Sequence, residues 1–156
     1  MGVNLEYYTI AAVPQPVRNA IEAEARQLVP AHDWWAESLN FYDPGEGDGR
    51  LYGTTKVFLS GYSNADGDFV EVDPDEDSLM AYRDTSFILE KLAEWSRKHG
   101  LSWQVDCAGE PIGTITKGRW DRQLREYVDA MKSSFQWQSA FDEKVKAISA
   151  KYASRW

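Results

Sequence analysis

The chain has 156 residues, 43% of them hydrophobic and 27% charged, with a net charge of −8. That size and balance fit one globular domain, 1–156, and exclude a disordered or fibrous chain, while the acidic charge disfavours nucleic acid and anionic membranes as partners. Cys107 is the single cysteine, so no internal disulfide forms. No basic-then-apolar leader and no membrane-length apolar run is present, and a soluble cytoplasmic protein is expected.

Val3, Leu5 and Tyr7 alternate with Asn4 and Glu6 and predict a strand. Val17, Ala20, Ile21, Ala25 and Leu28 fall at helical spacing, with Pro16 in the first turn and Pro30 just past the end. Trp34–Tyr42 reads as a strand, and the Gly-rich 45–49 segment as a loop. That loop lacks the Lys-Ser/Thr ending of a phosphate loop. Leu51–Tyr62 and Phe69–Val72 read as a hairpin across the turn Asn64-Ala65-Asp66-Gly67. Asp73–Asp77 reads as an acidic linker into a helix capped by Ser78 or Asp84 and ended by Gly100.

Leu101, Trp103, Val105 and Cys107 alternate with polar residues, and Ile112–Thr116 returns as a hairpin partner. Residues 118–156 read as a helical pair: one stripe runs through Trp120, Leu124, Tyr127, Val128 and Met131, the other through Phe141, Val145, Ile148 and Tyr152. The two stripes are out of phase, which places a break near Ser133-Ser134-Phe135-Gln136. The order β-α-β-β-β-α-β-β-α-α predicts an α+β fold: an antiparallel sheet with helices packed on it. It contains the elements of a split β-α-β arrangement, as in ferredoxin-like folds.

Charge is uneven along the chain. Residues 1–116 hold eight basic and twenty acidic side chains, a net of −12; residues 117–156 hold nine and five, a net of +4. Seven Trp, eight Tyr and six Phe supply either a core or an exposed aromatic surface. Between Lys56 and Arg83 there is no basic residue, and Asp66, Asp68 and Glu71 cluster there. The spacing Asn64, Asp66, Asp68 resembles the start of an EF-hand loop. Phe69 then replaces the glycine of position six and Asp75 the glutamate of position twelve. Ca²⁺ at 64–77 is thus one alternative, and a solvated hairpin explains the same residues.

No motif names a reaction. Cys107 is in phase with its strand's apolar face, which predicts burial rather than nucleophilic use. Asp106, Glu110 and His32 are the catalytic candidates; Trp34, Trp35 and Gln104 are candidates for binding a partner or ligand. Arg119, Arg122, Arg125 and Lys132 beside Trp120 have the composition of a phosphate contact, or of helices docking on an acidic sheet. The expectation is a non-enzymatic interaction domain, adaptor or inhibitor-like, that engages a basic partner and needs no cofactor. The alternative is a small enzyme or ligand-binding protein with a polar and aromatic pocket.

Overall fold

The computed structural model describes residues 3–133 and 140–156. Strand β1 (Asn4–Thr9) buries Leu5, Tyr7 and Thr9 and leaves Glu6 and Tyr8 partly exposed, as its period of two requires. Helix α1 (Gln15–Ala31) carries Pro16 in its first turn and runs one residue past Pro30 instead of ending before it. In the last turn a proline interrupts little of the hydrogen-bond ladder.

Trp34–Tyr42 is not one strand. Trp34, Trp35 and Leu39 are all buried, so nothing alternates, and only Phe41–Tyr42 forms β2. Leu51–Tyr62 divides into β3 (Tyr52–Lys56) and β4 (Gly61–Ser63), with Ser60 at a φ of 63° between them. Strand β4 pairs with β5 (Phe69–Glu71) as a separate two-stranded sheet.

Helix α2 (Pro74–His99) begins earlier than either expected cap. Asp73 caps it, accepting hydrogen bonds from the Asp75 and Glu76 N–H groups, with Pro74 in the first turn. The acidic run is therefore helix, where its charge suits the dipole. Gly100 ends α2 in the left-handed region, at a φ of 67°. Then come β6 (Trp103–Cys107), β7 (Glu110–Thr116), the short β8 (Arg119–Trp120), α3 (Arg122–Ser133), α4 (Phe141–Lys151) and a 3₁₀ turn, Ala153–Arg155. Of the expected break, Ser133 closes α3; Ser134, Phe135 and Gln136 lie outside the described residues.

The main sheet has the order β2-β3-β1-β6-β7-β8, with every neighbouring pair antiparallel. Strands β1 and β2 therefore run parallel with β3 between them, and β3 and β6 run parallel with β1 between them. Two interlocked β-α-β units result, through α1 and through α2, which is the split arrangement of ferredoxin-like folds. The β4–β5 hairpin is inserted before α2, and β7, β8, α3 and α4 are added after it.

One sheet face packs against helices. Leu5, Tyr7, Trp103 and Val105 share a cluster with Ile21 of α1, Ile88 and Leu92 of α2, and Leu124 of α3. Gly53 faces Tyr7 across the ladder, where a Cβ would sit 1.9 Å from the ring. Only glycine admits the ring there. A second cluster joins Trp35, Leu59, Val72, Leu79 and Met80 to Ile148 and Tyr152, so α4 closes over the hairpin and the start of α2. The opposite face of the main sheet carries Glu6, Tyr8, Tyr52, Gln104 and Asp106, all partly exposed.

Candidate functional site

His32 is the residue at which α1 ends. Its Nε2 lies 2.8 Å from Oδ1 of Asp84, a carboxylate only 1% exposed in the middle of α2. The Arg83 guanidinium reaches the same oxygen at 2.9 Å, and the main-chain N–H of Trp35 donates to Oδ2 at 2.8 Å. The His32 ring stacks on Phe87 at 4.1 Å and meets the Trp34 ring edge-on at 4.5 Å. Position and orientation are thus fixed by one buried carboxylate and two aromatic rings.

A carboxylate held by a guanidinium only accepts hydrogen bonds, so Nε2 is the nitrogen of His32 that carries hydrogen. That leaves Nδ1 as the basic nitrogen of the neutral ring. Nδ1 bonds no described residue. His32 lines an open hollow of about 560 Å³ together with Asp33, Glu37, Ser38, Asn40 and Trp156. Trp156 is 69% exposed and forms an apolar wall.

Arg155 anchors the chain segment that follows His32. Its side chain is 2% exposed; Nε donates to the Trp35 carbonyl at 2.9 Å, and Nη1 to the Ser149 and Tyr152 carbonyls at 3.1 Å each. Nη2 pairs with Asp33 at 3.3 Å. Burial lowers the Arg155 pKa, and Asp33 acts against that shift.

Asp77 holds the neighbouring chain segments. Oδ1 accepts from the Trp35 indole at 2.7 Å and from the Leu59 N–H at 2.8 Å; Oδ2 accepts from the Ser60 N–H at 2.9 Å. Asp77 and Asp84 are the principal residues that sequence reasoning missed. The sequence pattern puts both at or before the start of a helix. With α2 beginning at Pro74, Asp77, Ala81, Asp84 and Ile88 form one buried stripe. Two carboxylates on an apolar helix stripe are the signal that marks them as bonded interior groups.

The three catalytic candidates do not meet. Asp106 lies on the sheet face away from the helices, where it accepts a 3.2 Å hydrogen bond from Gln104, and Glu110 begins β7. His32 packs against α2 on the other side. Trp34 lines the His32 hollow although it is 4% exposed. Trp35 is 0% exposed with its indole N–H committed to Asp77, so it belongs to the core rather than to a binding surface. Gln104 is partly exposed on the open sheet face.

Asn64 Oδ1 accepts both the Asp66 and Asp68 N–H groups at 3.0 Å, which makes 64–68 a side-chain-capped turn. Glu71 ends β5. Among the described residues, no three His, Cys, Asp or Glu side chains converge as a metal site. Burial pushes the Cys107 thiol up, away from the reactive thiolate. A second hollow, of about 480 Å³, lies between α1 and the 43–49 loop. It mixes Arg18, Arg26 and Arg50 with Glu22, Glu46 and Asp48. No protein-family model, curated protein or solved structure matches this chain. The functional reading therefore stands on the site's own geometry.

Proposed function

We propose that the chain binds a small polar ligand in the hollow beside His32, and that His32 exchanges a proton with it. The observation that carries this reading is the 2.8 Å bond from His32 Nε2 to the buried Asp84, with the residue lining the hollow and its Nδ1 bonded to no described residue. A carboxylate behind an imidazole fixes its tautomer and orientation, which is how a histidine is prepared for general acid–base work. Glu37, Ser38 and Asn40 supply further donors and acceptors, and Trp156 supplies an apolar surface. The earlier expectation of an adaptor for a basic partner draws less support. The open sheet face carries the acids Glu6 and Asp106, and Asp48 at its edge is already paired with Arg50.

An NMR screen of small carboxylic acids, phenols and amides tests the proposal, read at the His32 ring and the Trp156 indole. Binding fragments are expected to shift both resonances together. Trp156→Ala, at an exposed position, is expected to weaken them without unfolding the protein. A fragment that is turned over should lose about 10²–10⁴-fold in rate in His32→Gln. The proposal fails where no fragment moves His32, or where both variants bind as the parent does.

A further inference from the structure

Arginines without an ion pair gather at two places in the fold: Arg18 and Arg26 at the hollow beside α1, and three others at a separate hollow. Among the described residues Arg50, Arg83, Arg122 and Arg155 each pair with a carboxylate. Arg97, Arg119 and Arg125 form no ion pair and no side-chain hydrogen bond with another described residue, in a chain with an excess of acids. The three come from the last turn of α2, from β8 and from the first half of α3, yet they line one hollow of about 630 Å³.

The turn before β8 brings them together. Gly118 sits at a φ of 73°, and a Cβ there would lie 2.8 Å from Arg97 Nε, so the Arg97 side chain runs directly over the turn. The Gly118 N–H donates to Ser96 Oγ at 3.0 Å and pins the turn to α2. Trp120 lines the same hollow, half-buried, with its indole N–H donating to the Leu89 carbonyl at 3.3 Å. Glu90 and Glu94 form the acidic side, and Glu94 is engaged by Lys91 at 3.2 Å.

We propose that this hollow binds a nucleoside polyphosphate, its phosphates on Arg97, Arg119 and Arg125 and its base against Trp120. Guanidinium groups bind phosphate oxygens two at a time, and the three arginines outnumber Glu90 and Glu94 in the hollow, which leaves it net positive and suited to an anion. An indole face supplies stacking for a planar ring. The site is separate from the His32 hollow and shares no lining residue with it.

The test titrates the full chain with adenosine triphosphate, inorganic triphosphate and adenosine, followed by calorimetry and by the Trp120 indole resonance, which Trp120→Phe assigns. Adenosine triphosphate is expected to shift that resonance and to bind about tenfold more tightly than either fragment. Added salt should weaken it. Arg97→Gln with Arg125→Gln should cost about tenfold or more in affinity at unchanged melting temperature, because neither side chain bonds another described residue. His32→Gln should leave binding as it is. Equal affinity for inorganic triphosphate and adenosine triphosphate, binding indifferent to the arginine variants, or no Trp120 shift at millimolar nucleotide would each overturn the proposal.

Discussion

At the mouth of the hollow between α1 and the 43–49 loop, Asp48 accepts hydrogen bonds from the Tyr52 hydroxyl and from Arg50. Tyr52 contributes most to lowering the Asp48 pKa from 3.8 to about 2. A carboxyl depressed on folding stabilises the folded state above its unfolded pKa. That contribution fades as pH falls from about 4 towards 2. Tyr52→Phe should therefore move the Asp48 titration upward, as followed by its carboxyl carbon resonance. An unchanged midpoint would show that Tyr52 is not the cause. Single residues were legible where one chain segment set their environment: Cys107 announced its burial by phase alone. His32 has Trp34 and Trp35 as sequence neighbours, but Asp84 is 52 positions away and only the packing of α2 against the end of α1 joins them.

The start of α2 shows how one cap relocates an element. Asp73 satisfies two N–H groups of the first turn, and the residues behind it shift in role. Asp73→Ala should cost about 1 kcal/mol, measurable as a lower urea midpoint at unchanged slope. A midpoint equal to that of the parent would mean that the Asp75–Asp77 charges alone hold the turn. Elements with a clean period were readable, β1 and β6 above all, because one face is buried and the other is not. Trp34–Tyr42 was not, because burial there follows tertiary anchors on Asp77 and Asp84 rather than alternation. The choice between linker and helix at 73–77 turned on a cap whose effect the two competing caps concealed.

The whole molecule joins two apolar clusters, one under the sheet and one between the hairpin and α4. The order of elements implied the split β-α-β core, but not the second cluster, whose members range from Trp35 to Tyr152. Arg155 ties that cluster to the segment behind His32 through the Trp35, Ser149 and Tyr152 carbonyls and Asp33. Arg155→Ala should cost about 3 kcal/mol, since it strands buried carbonyls and removes the group lying 4.8 Å from the Trp35 ring centre. For a chain of this length that is roughly 6–12 °C in melting temperature by calorimetry; a drop below about 2 °C would show that the contacts are incidental. The same arrangement sets an order on synthesis. Residues of the sheet cluster up to β7 leave the ribosome before α4 does, so β4, β5 and the start of α2 wait with an uncovered apolar side. At about 5–20 residues per second that interval lasts seconds, and it is the period in which the nascent chain is most open to chaperones and to unwanted strand pairing.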